Sequence, residues 1–226
     1  MLGIIGAMDV EVNRIKASVK NSEVKHFAGI EFVCGTLGKR SVCVAQCSPG
    51  KVNAALCTQL MIDKFSPDSI INIGVGCSLD KRVVIKNVVV ATEVCQYDFD
   101  TSAVDGVKGL ILDGKTKLET DKALSDALAL SAEKSGATVH RGGIATGDTF
   151  IASDALKRSI VSDFGAICGE MEGGAIGQVC YINKLPFAVL RSISDGGDEA
   201  VQIDYPAFKL IAAEISTNML LAFCEK

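Results

Sequence analysis

The chain has 226 residues, of which 48% are hydrophobic, and its formal net charge is −4 at pH 7. This length and apolar fraction predict a single α/β domain over residues 1–226, with a large hydrophobic core. No basic block offsets the acidic balance, which excludes the positive surface that a nucleic-acid partner requires.

The nine cysteines are odd in number and include no CxxC pair. Most lie in apolar runs, where a free thiol packs as a small hydrophobe. This usage favours a reducing compartment, so we expect a cytoplasmic protein. The apolar run at residues 2–7 is too short for a signal-peptide core. No other segment approaches the roughly 20 apolar residues of a membrane span, so we expect no membrane partner.

Strands and helices alternate in the predicted order of elements. The first half of the chain has a strand at 2–8, a helix from Asp9 through Lys20, a hairpin at 30–36 and 40–47, a helix at 51–65 and a strand at 69–74. The second half has a strand at 87–97, a helix at 119–135, a strand at 138–147, a helix at 171–184, a strand at 186–194 and a helix at 205–223. This order predicts an α/β three-layer sandwich with a mixed, mostly parallel central sheet and ligands at the carboxyl ends of its strands.

Two glycine-rich segments imitate nucleotide phosphate loops. Residues 109–116 fit the spacing G-x-x-x-x-G-K-T, but no strand precedes them and the loop interior is Leu-Ile-Leu. We interpret Asp113-Gly114 as a hairpin turn, within a stretch at 97–117 that we predict to be a surface loop or lid. The pair Gly74 and Gly76 lacks the third glycine of a dinucleotide fingerprint.

Two later segments carry the charged residues of a candidate site. Glu170 and Glu172 begin a small-residue helix, while Arg191 and Ser194-Asp195 lie at the end of the next strand. These groups would meet at one edge of the sheet and form a charged cleft. The spacing alone equally allows another interpretation, in which both glutamates are solvated acids at a helix N-terminus and Asp195 is an N-cap.

Several separate motifs in a fixed order are more specific than either segment. They are Gly3-Ile-Ile-Gly-Ala-Met8 with Glu11, Gly50-Lys51-Val52-Asn53-Ala54, Ile71-Asn72-Ile-Gly74, Arg141-Gly142, Thr146-Gly-Asp-Thr-Phe150-Ile151, Glu170-Met171-Glu172 and Ser194-Asp195. With these motifs the chain resembles the nucleoside phosphorylase family and, within it, the bacterial 5′-methylthioadenosine/S-adenosylhomocysteine nucleosidases. The resemblance implies a nucleoside phosphorylase-like fold, an adenine nucleoside as substrate, no cofactor or metal, and a homodimer.

The resemblance also implies that three acids divide the cleavage of an N-glycosidic bond. Asp195 is the general acid that protonates the purine at N7, and Ser194 helps to position it. Glu172 accepts a hydrogen bond from the ribose 2′-hydroxyl, and its charge favours the cationic sugar. Glu11 holds and polarises the attacking water.

The substrate contacts follow from the same resemblance. Phe150 would stack on the purine, the backbone of Ile151 would read the purine edge, and Tyr205 would cover the 5′-alkylthio group. The other expected contacts are Met8, Met171, Val75, Gly76 and Arg191. For Met8, plain core packing is an equally good interpretation.

Hydrolysis is favoured over phosphorolysis, because a phosphate site needs several donors or cations. The loop at residues 6–9 offers no arginine, and Glu11 would repel a phosphate dianion. Only Arg191 remains, and it can equally pair with Glu11 or Glu170. A purine nucleoside phosphorylase and a noncatalytic nucleoside-binding relative stay open as alternatives.

The chain departs from the nucleosidase pattern at two places. Val75-Gly76-Cys77 replaces the usual Ser-Ala-Gly run, and Ser78 is the candidate to supply the missing hydroxyl. In the loop that the family uses to complete a neighbour's pocket, this chain carries Thr101 and Val104 instead of the usual apolar and aromatic pair. The preferred 5′-substituent is therefore left open.

Overall fold

The computed structural model describes residues 1–225. The strands are β1 (Leu2–Gly6), β2 (Lys20–Phe27), β3 (Ile30–Leu37), β4 (Arg40–Gln46), β5 (Ser69–Ser78), β6 (Val88–Gln96), β7 (Leu118–Glu119), β8 (Val139–Thr146), β9 (Cys168–Glu170) and β10 (Phe187–Asp195). The helices are α1 (Asp9–Ser18), α2 (Lys51–Phe65), α3 (Ser102–Asp105), α4 (Lys122–Lys134), α5 (Asp154–Phe164), α6 (Gly173–Ile182) and α7 (Val201–Cys224). The predicted α/β class is confirmed.

All ten strands belong to one mixed sheet. Strands β4, β1, β5 and β10 are parallel neighbours in that order, and β6, β8 and β9 form a second parallel group. Antiparallel pairs join the two groups, β10 with β6 and β5 with β9. Because β5 pairs with both β10 and β9, five strands close into a ring. The mixed sheet was predicted, whereas this closure depends on pairings that periodicity does not reveal.

Helices cover both faces of the sheet. One face packs against α1, α4 and α7 through a core that includes Ile15, Leu128 and Leu220. The other face packs against α2 and α6 through residues such as Met61 and Ile176. Burial of apolar surface on both faces fixes the strands in place, and with them the loops that leave their carboxyl ends.

Helix α7 is long and apolar enough to cross a membrane by length and composition, with a mean hydropathy of 1.4 over its most apolar window. This corrects the expectation that no segment approaches a membrane span. One face of α7 is buried in the core through Ala212, Met219 and Phe223, while Glu214 is exposed on the outside. We therefore interpret α7 as a core helix of the fold.

The predicted elements lie close to their expected bounds, and five further elements were missed, namely β2, α3, β7, α5 and β9. Strand β2 is mostly exposed and polar, so it lacks the apolar alternation by which strands are recognised. It begins at Lys20, which is why α1 ends at Ser18 and not at Lys20. Helix α5 begins after Ser153, whose hydroxyl accepts from the Leu156 amide at 3.3 Å. Strand β9 has only three residues.

The stretch at 97–117 contains the short helix α3 and one tight turn. Asp113 and Gly114 have φ values of 48° and 73°, and Leu112 pairs with Lys115 across them. Two successive positive φ values are typical of a two-residue hairpin turn. This turn confirms the interpretation of Asp113-Gly114 and rules out a phosphate loop at this place.

Candidate active site

A cavity of about 320 Å³ opens where several strands end. Its walls come from the residues after β1, the end of β5, the loop after β8, and the ends of β9 and β10. Tyr205 of α7 adds a side chain from the helix layer. The site therefore lies at the carboxyl ends of the parallel strands, as the order of elements predicts.

Glu11 is held at the start of α1 by three backbone amides. Its Oε2 accepts from the amides of Ala7 and Met8, each at 2.8 Å, and its Oε1 accepts from the amide of Val75 at 3.0 Å. A Cβ on Gly74 would lie 2.5 Å from Glu11 Oε1, so glycine there permits the close approach. Burial raises the pKa of Glu11, against the opposing effects of Arg191 and the three amides.

Asp195 ends β10 and is almost fully buried. Its Oδ1 accepts from the Gly197 amide at 2.9 Å, and its Oδ2 accepts from the Ser194 hydroxyl at 2.8 Å. Ser194 Oγ also lies 3.3 Å from the carbonyl oxygen of Gly76. Burial raises the pKa of Asp195, and the nearby Asp198 and Asp204 add to that rise. A carboxyl group in this setting is suited to carry and donate a proton.

Arg191 organises a pair of buried carboxylates at the junction of β9 and α6. Its guanidinium donates to Glu170, to Glu172 at 3.3 Å and to the side-chain oxygen of Asn72 at 2.6 Å. Glu170 Oε2 also accepts from the amides of Glu172 and Gly173, at 3.0 and 2.7 Å. Glu172 Oε1 is left to accept from the Gly50 amide at 3.0 Å.

Opposing effects act on the pKa of Glu172 in this cluster. Burial and the neighbouring Glu170 raise the pKa of Glu172 to about 8, although Arg191 and the Gly50 amide act in the opposite direction. Burial alone would lower the pKa of Arg191, but the surrounding carboxylates raise it overall, so this guanidinium stays charged. A cation that develops beside Glu172 would favour its ionised form.

Aromatic and apolar side chains form the rest of the cavity wall. Phe150 is 45% exposed and meets Tyr205 edge-on, with ring centroids 5.1 Å apart. The Tyr205 hydroxyl donates to Met8 Sδ at 3.4 Å. The buried side chain of Ile151 packs against Gly169, where a Cβ would lie 2.4 Å from Ile151 Cδ1. Phe150 thus presents a partly open ring to the cavity, as a stacking role requires.

Eleven of the twelve predicted site residues line this one cavity. The exception is Arg191, which we expected to contact substrate but which lies outside the lining and is 1% exposed. The interpretation of Glu170 and Glu172 as solvated acids is wrong, because both are 6% exposed. Ser78 does not supply a hydroxyl to the cavity either, since its Oγ lies 2.9 Å from the Asp80 carbonyl and 2.5 Å from that of Val83.

Some residues of the site were not predicted. Cys77 was noted only as a departure from the family pattern and Thr149 was given no role, yet both line the cavity. Asn72 is buried and accepts from Arg191; it was named within a motif but given no role, although a polar side chain in the apolar run at 69–74 needs a partner. Among residues 1–225, no group of three His, Cys, Asp or Glu side chains is arranged to hold a metal ion.

A family model for the phosphorylase superfamily matches residues 1–225. The 5′-methylthioadenosine/S-adenosylhomocysteine nucleosidase of Shewanella sediminis is 34% identical over 227 residues, covering 100% of this chain and 99% of that protein. The chain belongs to this nucleosidase family. The resemblance inferred from the sequence motifs is therefore confirmed, and so is the fold that it implied.

Two solved structures show how closely the nucleosidase fold is kept. The nucleosidase from Neisseria meningitidis, in complex with methylthio-immucillin-A, has a TM-score of 0.95 and 30% identity, covering 99% of this chain and 98% of that chain. Futalosine hydrolase of Helicobacter pylori has a TM-score of 0.93 and 33% identity, covering 98% of this chain and 96% of that chain. The chain therefore shares its fold with both structures over nearly its whole length.

Proposed function

We propose that this protein is a nucleosidase that hydrolyses the N-glycosidic bond of 5′-methylthioadenosine, S-adenosylhomocysteine or related 5′-substituted adenine nucleosides and releases adenine. The observation that carries the proposal is the presence of Glu11, Glu172 and Asp195 in one cavity, with each carboxyl group held differently. Membership of the nucleosidase family supports the same reaction.

Asp195 is the acid in this mechanism. Its raised pKa favours the protonated form, and Ser194 and Gly197 fix its orientation. Transfer of this proton to N7 lets the purine leave as a neutral base when the bond between N9 and C1′ breaks. General acid catalysis of this kind typically contributes ~10²–10⁴-fold in rate.

Glu172 and Glu11 act on the sugar and the water. Glu172 accepts from the 2′-hydroxyl, and its charge stabilises the oxocarbenium character that develops as the bond to the base breaks. Water then forms a bond to C1′, and Glu11 takes the proton that the water loses. The Ala7, Met8 and Val75 amides fix the Glu11 carboxylate, so that little reorganisation is needed during the reaction.

The charge of the site supports hydrolysis over phosphorolysis. Phosphate would have to bind beside Glu11, and Arg191 is occupied by Glu170, Glu172 and Asn72. The deciding experiment measures adenine release from 5′-methylthioadenosine in phosphate-free buffer. Turnover that needs phosphate would identify a phosphorylase, and binding of the nucleoside without cleavage would identify a noncatalytic relative.

We further propose a cytoplasmic homodimer. All nine cysteines are free thiols, which supports a reducing compartment. Val104 in the loop after β6 is 93% exposed, and a partner subunit would cover such an apolar side chain. Thr101 and Val104 lie outside the cavity lining of their own chain, so they are free to approach the cavity of a second copy.

A further inference from the structure

Two consecutive amides at the start of α2 each hold a carboxylate. The Gly50 amide donates to Glu172 Oε1 at 3.0 Å, and the Lys51 amide donates to Asp148 Oδ1 at 2.7 Å. Amides at a helix start have no partner within the helix, and the helix dipole favours negative charge there. One of the two acids is the proposed ribose acid, whereas Asp148 has no part in the mechanism described above.

Asp98 closes these contacts into a ring of three residues. Its Oδ1 accepts from Lys51 Nζ at 2.6 Å, and its Oδ2 accepts from the backbone amide of Asp148 at 2.8 Å. The Lys51 and Asp98 side chains are only 18% and 23% exposed, which limits competition from solvent. The ring joins the start of α2 to the loops that follow β6 and β8.

The backbone before α2 depends on such contacts. Ser48 has a φ of 69° and Gly50 a φ of 99°, and a left-handed conformation is unfavourable for serine. A Cβ on Gly50 would lie 3.1 Å from Asp148 Oδ1, so glycine lets the two loops approach each other. Strained backbone of this kind persists only where its surroundings hold it in place.

Each side of the ring leads directly into the cavity wall. Pro49 precedes Gly50 on one side, and Phe150 follows Asp148 by two residues on the other. The Thr149 carbonyl between them accepts from the Tyr97 hydroxyl at 2.6 Å. A shift at Asp148 would therefore move the stacking residue relative to the segment that holds Glu172.

We propose that Asp148 is a positioning residue of the nucleoside site. By holding the start of α2 it keeps the Gly50 amide on Glu172, and it fixes the sugar side of the site relative to the base side. The terms sugar side and base side rest on the proposed function. The contact between Gly50 and Glu172 exists in the free protein and can be measured without any substrate.

The first test compares Asp148→Ala with Asp148→Asn, which keeps an acceptor oxygen for the Lys51 amide. Asp163→Ala is the matched control, because Asp163 pairs with Lys108 at 3.0 Å on α5 and does not line the cavity. Amide hydrogen exchange is followed in the ligand-free proteins. Asp148→Ala should speed exchange at Gly50 roughly 3- to 10-fold, as expected for the loss of one capping hydrogen bond. Asp148→Asn should restore most of the protection, and Asp163→Ala should not alter it. Unchanged exchange at Gly50 in Asp148→Ala would overturn the proposal.

The second test uses calorimetry to measure dissociation constants for adenine and for methylthio-immucillin-A. Adenine occupies the base side alone, so Asp148→Ala should raise its dissociation constant less than about 3-fold. The dissociation constant of the nucleoside analogue should rise roughly 10-fold. Equal weakening of both ligands would show a general loss of structure and contradict a positioning role. A wild-type protein that releases no adenine from 5′-methylthioadenosine would refute the proposed function, and Gly50 exchange would still decide the role of Asp148.

Discussion

The guanidinium of Arg191 lies 3.3 Å from the carboxylate of Glu172 without itself lining the cavity. Arg191 is the buried cation among three buried acids, since Glu11 and Glu170 also act on it electrostatically. The cluster therefore carries more negative than positive charge when its acids are ionised. Such an excess disfavours phosphate and favours a sugar that becomes cationic.

This excess of negative charge should lower the free energy of unfolding of the protein. Burial and Glu170 raise the pKa of Glu172 from 4.5 to about 8, so between these values the folded protein binds more protons than the unfolded chain. The stability that the protonated Glu172 contributes is complete below about pH 4.5 and is lost as the pH rises through 8. Glu172→Gln cannot ionise, so its melting temperature should exceed that of the wild type at pH 8. The melting temperature should rise by roughly 2–4 °C for each kcal/mol gained in the free energy of unfolding.

The measurement is thermal unfolding of both proteins between pH 5 and 9. Glu214→Gln, on the exposed face of α7, serves as the control. The difference in melting temperature between Glu172→Gln and the wild type should grow with pH. A difference independent of pH would contradict a raised pKa of Glu172 in the folded protein.

Asp195→Asn should keep the fold and lose most turnover. The amide oxygen can still accept from Gly197, and Ser194 can accept from the new NH₂ group while donating to the Gly76 carbonyl. The transferable proton is gone, so kcat for adenine release should fall by ~10²–10⁴-fold. Adenine affinity and the melting temperature are measured alongside, and normal turnover would exclude Asp195 as the general acid.

Glu11→Gln should impair the chemical step while leaving adenine binding nearly unchanged. Both carboxylate oxygens of Glu11 accept from amides, so the NH₂ of glutamine must face at least one N–H group. We expect a stability loss of about 1–3 kcal/mol for the unpaired amide, together with a fall in kcat. Single-turnover rates separate the chemical step from binding, and wholesale loss of adenine affinity would assign Glu11 a structural role.

The sequence predicted the fold class and most of the residues that line the cavity, but not every element or the position of every charge. Glu11, Glu172 and Asp195 were named from the resemblance to the nucleosidase family. Spacing alone placed Glu172 and Asp195 at one edge of the sheet but equally allowed them to be a solvated acid and an N-cap. Arg191 was misplaced because sequence spacing does not tell whether a charge at a strand end faces the cavity or the carboxylates behind it. Strand β2 was missed because its polar residues have no apolar face to reveal it.

A homodimer should form through exposed apolar side chains. Val52 on α2 is 78% exposed, and Leu56 and Ile182 on the adjoining helices α2 and α6 are also exposed. Val52→Glu places a charge on this surface and should yield monomers with reduced activity, because the loop at 97–117 could no longer reach a partner. Val24→Glu on strand β2 is the control. Light scattering gives the mass, and a fully active wild-type monomer at assay concentration would refute the dimer.

The range of substrates should be broad at the 5′ end and narrow at the base. The expected 5′ pocket is bounded by Tyr205 and, in the proposed dimer, by Thr101 and Val104 from the loop of the second copy. A lost apolar contact there changes discrimination by only ~1–3 kcal/mol. At the base end, Asp195 and the Ile151 backbone would match a 6-amino purine. A 6-oxo base would leave a buried partner unmatched at a cost of ~1–3 kcal/mol, or roughly 5- to 150-fold. The test compares kcat/KM for 5′-methylthioadenosine, S-adenosylhomocysteine, 5′-deoxyadenosine, adenosine and inosine. The adenine nucleosides should lie close together with inosine well below them, and inosine equal to the best of them would overturn this account of the base site.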